Sequence, residues 1–187
     1  MTVKNLITYF LVAIIALTLT ACGGSSNEEV SNGNDVATPS SSLSQDKIDA
    51  IEAAVFYDFD GNEISITEFK GKTVLIDFWE TWCAPCLASM PTLDRLMNEY
   101  SDDFVVLATS PLWSDSKDDV LRFKNSHDYT FYYVHATDLA NKLNIRGIPY
   151  KVYVAPDGTF YKDEAGSRGP ERDYQMISQV IENLRNR

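Results

Sequence analysis

Two cysteines, Cys83 and Cys86, carry the most specific chemistry in the sequence. They stand in Trp79-Glu80-Thr81-Trp82-Cys83-Ala84-Pro85-Cys86, behind the apolar run Val74-Leu75-Ile76-Asp77-Phe78 and ahead of residues 87–100, whose apolar side chains recur at helical spacing. A CxxC pair at a strand-to-helix junction reads first as a reactive dithiol. Cys83 falls at the helix N-terminus, where unpaired N–H groups and the helix dipole stabilise a thiolate, the attacking species in disulfide exchange. Cys86 lies one turn on, where its sulfur is expected to be more buried. Cys83 would attack a substrate disulfide, and Cys86 would then attack the mixed bond and release reduced substrate. Ala84 and Pro85 between them tune the potential but do not fix which way electrons flow.

Other uses of the pair fit less well. A zinc ribbon needs a second Cys or His pair at ligand spacing. The remaining cysteine is Cys22, and His127 and His135 are well apart from the pair in sequence. A structural disulfide across four residues would constrain little of the unfolded chain. A peroxide-reducing cysteine would want Thr or Ser three positions ahead, and Glu80 is there. No metal, and no cofactor beyond the Cys83–Cys86 couple, is expected.

The elements around the pair must hold it. Residues 74–79 read as a central strand covered on both faces, broken only by Asp77. Pro85 suits the first turn of the helix, where a missing N–H costs nothing. Pro91, inside the same pattern, is expected to kink it. Upstream, residues 48–67 read as a small hairpin, with Asp60-Gly61 as its turn and Ile64 and Ile66 alternating with polar neighbours. Downstream, the patterns give a strand at 104–109, a helix at 117–125, a strand at 129–134, a short helix at 138–143, strands at 151–155 and 159–162 around Pro156-Asp157-Gly158, and a closing helix at 171–186. Strands alternating with helices and ending in a hairpin argue an α/β domain: a central mixed β-sheet flanked by helices.

The chain of 187 residues suffices for one domain plus appendages, and its 44% apolar content can supply a core. A net charge of -11 argues against nucleic acid as a partner, because phosphate binding needs a basic face. Residues 1–21 carry one charge, Lys4, and an apolar run over 6–19, the length of a signal h-region and short for a membrane span. The run ends in Leu19-Thr20-Ala21-Cys22, which resembles the box of a bacterial lipoprotein signal. That resemblance implies a lipid on Cys22 as the mature N-terminus and an extracytoplasmic, lipid-anchored, periplasm-facing domain. With Gly23 and not Asp following, it implies the outer membrane in a Gram-negative cell. Residues 22–46 then read as the lipidated cysteine and a polar tether of roughly 25 Å mean reach, and 47–187 as the folded domain.

Taken together, Ile76-Asp77-Phe78-Trp79 before Trp82-Cys83-Ala84-Pro85-Cys86, Pro91, and Ile145-Arg146-Gly147-Ile148-Pro149 resemble thioredoxin, in particular the membrane-tethered TlpA/ResA-type thiol–disulfide oxidoreductases. The likeness covers roughly residues 50–187. It implies a thioredoxin-like fold with an N-terminal β-hairpin and a helix–strand insertion over residues 110–134. It implies a cis peptide at Pro149, lying against the dithiol with the Ile148 carbonyl facing substrate, and Trp82 shaping the substrate groove. It implies Asp77 as the buried acid that accepts the proton of Cys86. Ser89 stands where many ResA-type proteins carry Glu, so that role rests on Asp77. Glu80 is expected to face solvent. Tyr150 replaces the usual Thr after the cis-proline and is expected to narrow the groove. Trp113 reads equally as a partner contact and as a packed side chain. The expected partners are disulfide-containing exported proteins such as apocytochromes, a membrane electron donor, and the membrane through Cys22, with the protein a monomer. An oxidase or isomerase, or a peptide-binding module without catalysis, are the competing functions.

Overall fold

The computed structural model describes residues 43–185. The signal segment, Cys22 and most of the tether therefore lie outside the described residues. Seven strands form one mixed sheet: β1 (Val55–Tyr57), β2 (Glu63–Ser65), β3 (Thr73–Phe78), β4 (Phe104–Ser110), β5 (Tyr132–His135), β6 (Tyr150–Val154) and β7 (Phe160–Ala165). Their spatial order is β2-β1-β5-β4-β3-β6-β7. Strands β3, β4 and β5 run parallel, while β6 lies antiparallel to β3, β7 to β6, and β1 to both β2 and β5. This is the thioredoxin-like arrangement.

The helices are α1 (Gln45–Glu52), α2 (Ala84–Glu99), α3 (Lys117–Asn125), α4 (Thr137–Leu143) and α5 (Pro170–Arg185). The period-two alternation of the central strands sorts them into two layers. Val74, Ile76 and Phe78 of β3 pack with Val105 and Leu107 of β4, Val152 and Val154 of β6, and the α1 and α4 side chains Ile51, Leu139 and Leu143. Leu75 of β3 faces the other way, with Phe104, Val106 and Ala108 of β4 and Tyr153 of β6, under Met90, Leu93 and Leu96 of α2 and Ile177, Ile181 and Leu184 of α5. Each such large aliphatic side chain, fully buried, stabilises the fold by about 1.5–3 kcal/mol. Asp77 and Lys151, by alternation, point into this second layer.

Local chemistry sets the boundaries. Helix α3 starts at a capping box: Ser116 Oγ accepts from Asp119 N at 3.2 Å, and Asp119 Oδ2 accepts from Ser116 N at 2.8 Å. Helix α4 ends at Asn144, whose φ of +57° is left-handed, a conformation that Asn tolerates better than most residues. The β1–β2 turn is gathered by the Asp58 carboxylate, which accepts from Asp60 N and Asn62 N at 2.9 and 2.8 Å, with Gly61 at φ +92°.

The expected elements are present, including the N-terminal hairpin and the inserted helix–strand pair α3–β5. Helix α1 is an addition. It begins at Gln45, inside the stretch read as tether, and continues through residues read as the lead-in to the hairpin. Lys47 Nζ donates to the Leu143 carbonyl at 2.8 Å, and Glu52 accepts from Phe160 N at 2.8 Å. Residues 66–69 form a short 3-10 helix, so Ile66, read as part of the hairpin, lies just beyond β2. Strand β5 starts three residues later than expected. Helix α2 is continuous from 84 to 99 through Pro91.

Candidate active site

Strand β3 delivers the chain to the C-terminal edge of the sheet, where Trp79 N donates to the Thr109 carbonyl at 3.1 Å. The chain turns, Cys83 N donating to the Glu80 carbonyl at 3.0 Å, and α2 begins. Cys83 is the N-cap of α2 and is joined to Cys86 by a disulfide, with Cα atoms 5.3 Å apart. Cys86 N donates to Cys83 Sγ at 3.3 Å. A helix N-terminus thus offers a donor directly to the sulfur that would carry the thiolate. Cys83 is 2% exposed and Cys86 fully buried, whereas Ala84 and Pro85 between them lie at the surface.

The Ile148–Pro149 peptide is cis. Pro149 is buried and Ile148 partly so. The Pro149 carbonyl is occupied by Gly166 N at 2.7 Å. Trp82 projects at the surface, 58% exposed. Trp79 supports the dithiol from within the core, its ring 4.9 Å from Phe123 and 6.0 Å from Tyr133. Ser89 is buried, and its hydroxyl donates to the Cys86 carbonyl at 2.8 Å. Tyr150 stacks edge-on to Phe78, and its hydroxyl donates to Asp163. His127 stacks between Phe123 and Tyr129, and His135 against Tyr57 and Phe59, so both act as aromatic packing groups.

Asp77 is 1% exposed, and its Oδ1 has no hydrogen-bond partner. Burial, the dominant cause, pushes its pKa up to about 6; the Lys151 ammonium opposes this, while Asp173 and Glu164 add to it. Lys151 lies opposite Asp77 in the antiparallel β3–β6 register, equally buried, with Nζ 3.9 Å from Oδ1. That separation permits attraction but no hydrogen bond. Lys151 Nζ instead donates to the Gly166 carbonyl at 3.2 Å. Asp173, in the first turn of α5, accepts from Ser167 Oγ at 2.6 Å and Arg168 N at 2.9 Å.

Glu80 does not face solvent. It is fully buried, and its carboxylate accepts from the Trp82 indole N–H and from three backbone N–H groups of residues 113–115. Asp115, also buried, accepts from Thr81 N and Thr81 Oγ1 at 2.6 and 2.8 Å. Sequence reasoning misplaced Glu80 because three of its four partners are main-chain groups more than thirty residues away. Lys151 left a readable signal: a lysine at an inward position of an otherwise apolar strand demands a buried counter-charge. Asp115 left none.

A family model described as the AhpC/TSA family matches residues 45–161. The thioredoxin-like protein YneN of Bacillus subtilis is 38% identical over 72 residues, 38% of this chain and 42% of that one, so the chain covers less than half of that relative. The thiol-disulfide oxidoreductase ResA of Halalkalibacterium halodurans is 27% identical over 131 residues, 68% of this chain and 71% of the relative. Among solved structures, the pneumococcal exposed lipoprotein thioredoxin of Streptococcus pneumoniae superposes with a TM-score of 0.60 at 26% identity, covering 70% of this chain and 98% of that one. The DsbE-type interchange protein of Chlorobium tepidum, at 20% identity and a TM-score of 0.59, shares the fold.

Proposed function

The chain belongs to the AhpC/TSA family and is a thioredoxin-like thiol–disulfide oxidoreductase, and from that premise we propose that it works outside the cytoplasm as a lipid-tethered reductase of disulfides in exported proteins. The observation that carries the direction of attack is Cys83 at the cap of α2, accepting from Cys86 N. In the reduced protein the Cys83 thiolate attacks a substrate disulfide, forming a mixed disulfide and releasing one substrate thiolate. Cys86 passes its proton to Asp77 and attacks Cys83 Sγ, releasing the second substrate sulfur as a thiolate. The two electrons given to substrate leave the Cys83–Cys86 disulfide behind. A carboxylate with a pKa near 6 suits the acceptor role, because it is ionised at neutral pH yet more basic than an ordinary Asp.

Pro149, Ile148 and Trp82 would frame the substrate backbone. No cofactor other than the dithiol enters this scheme. Regeneration falls to a membrane electron donor, and apocytochromes are suitable substrates. Likeness to an exposed lipoprotein thioredoxin supports the location, and Cys22 would carry the lipid. Among the described residues no helix is long and apolar enough to cross a membrane.

The test is a redox titration with an insulin reduction assay. The protein is expected to catalyse insulin reduction by dithiothreitol, and Cys83→Ala to abolish it; undiminished activity in that variant would sink the mechanism. A potential of roughly -270 mV supports the reductase, and one of roughly -120 mV makes the protein an oxidase.

A further inference from the structure

Glu80 organises more than its own turn. Its Oε2 accepts from the Trp82 indole N–H at 2.7 Å. Its Oε1 accepts from the backbone N–H groups of Trp113, Ser114 and Asp115 at 2.6, 3.0 and 3.4 Å. One oxygen of this buried carboxylate therefore holds the side chain of Trp82 and the other the main chain at Trp113, the two tryptophans that are exposed, at 58% and 40%. Asp115 returns the connection by accepting from Thr81. Two short segments, 80–82 and 113–115, are thus laced in both directions. They leave the same edge of the sheet, because β3 and β4 are parallel neighbours with Phe78 opposite Thr109. The second segment follows Leu112, whose φ of +53° is unusual for a branched residue, and Leu112 N is held by Ser110 Oγ at 3.1 Å.

A buried carboxylate costs desolvation, and a surface loop does not need one to pack. Four donors aimed at it instead fix a rigid geometry, with charge-assisted bonds roughly twice as strong as neutral ones. That rigidity reaches the Trp82 ring directly, one residue from Cys83, and the backbone that carries the exposed Trp113 ring, one hydrogen bond from the same turn. Rigid aromatic rings are efficient contact surfaces, since little side-chain entropy is lost when they bind.

We propose that Glu80 is a positioning residue that sets Trp82 and Trp113 as two walls of a clamp beside Cys83, receiving an apolar or aromatic side chain next to the cysteine of a polypeptide disulfide. This rests on the reductase reading above and adds the substrate class. The walls are uncharged, so discrimination depends on apolar area and ring contact.

Two peptide disulfides test it, each a symmetric dimer through one cysteine, with Phe beside the cysteine in one and Ser in the other. Single-turnover oxidation of the pre-reduced full chain is followed by tryptophan emission at varied peptide concentration. The wild type is expected to favour the Phe peptide by about tenfold, mostly through half-saturation concentration and little through limiting rate. Glu80→Gln keeps an acceptor for the loop amides but opposes its NH2 to the indole N–H. That variant and Trp113→Ala are each expected to bring the preference to about twofold or less, and Glu80→Gln to shift the Trp82 indole N–H resonance. Trp113→Ala alters a surface ring, so its result stands even where Glu80→Gln fails to fold. A wild type that reduces neither peptide overturns the reductase reading and the clamp with it. A wild type without preference, or either variant keeping the wild-type preference, overturns the clamp alone.

Discussion

Asp77 and Glu80 are two buried carboxylates three residues apart on one stretch of chain, and the protein treats them in opposite ways. Asp77 has an oxygen with no hydrogen bond and a lysine held just beyond bonding distance, and its pKa is pushed up to about 6. Glu80 is met by four N–H donors, three of them main chain. Burial alone does not make a proton acceptor. An acid whose lone pairs are filled is a structural fastener; an acid left short of donors in a closed core has a reason to take up a proton.

The largest effect that contrast predicts falls on stability. Glu80→Ala strands three buried or half-buried loop amides and an indole N–H, and is expected to cost about 3–4 kcal/mol, read as a lower urea midpoint at unchanged slope. A loss below about 1 kcal/mol would show that water replaces the carboxylate and would remove the fastener from the comparison.

Asp77 should answer to pH. Its folded pKa is raised from the ordinary 3.8 to about 6, so the folded protein binds that proton more tightly than the unfolded chain does. The associated stability is fully present below about pH 4 and is lost as pH rises through 6, up to about 3 kcal/mol in all. Asp77→Asn is expected to flatten that part of the stability profile of the oxidised protein. It should also slow release of the mixed disulfide by roughly ten- to a hundredfold while changing the initial attack less. Equal slowing of both steps would make Asp77 a packing group like its neighbours.

The smallest effect sharpens the role of Lys151. Lys151→Met removes the one cation that opposes the rise in the Asp77 pKa, leaving Asp173 and Glu164 as the charged groups that act on it. The pH midpoint of the second step is expected to move upward in a pH–rate profile. An unmoved midpoint would mean that the 3.9 Å gap isolates the ammonium from the carboxylate.

What the sequence disclosed follows the range of the interactions involved. The dithiol, the cis-proline segment and the limits of α3 are written locally, in CxxC, in Ile148-Pro149 and in the Ser116–Asp119 cap, so they were legible. Asp77 was legible because it breaks an apolar strand. Helix α1 was not, since it is short, buries only Ile51 fully, and opens on polar Gln45 and Asp46 that continue the composition of the tether. Glu80 and Asp115 were not, because the bonds between their segments depend on β3 and β4 becoming parallel neighbours in the sheet. Lys151 was readable as an anomaly, but its partner required the β3–β6 register.

Helix α1 also decides where mechanical load goes. The chain reaches the domain through this helix, which is clasped to the Leu143 carbonyl by Lys47 and to Phe160 N by Glu52. Ile51 sinks it into the layer opposite α2. A pull from the N-terminal side therefore shears a helix fastened at two separate points and does not peel a strand from the sheet. The force is spent on the face away from Cys83 and Cys86, so a pull on the N-terminal side leaves the geometry of the sulfurs at rest.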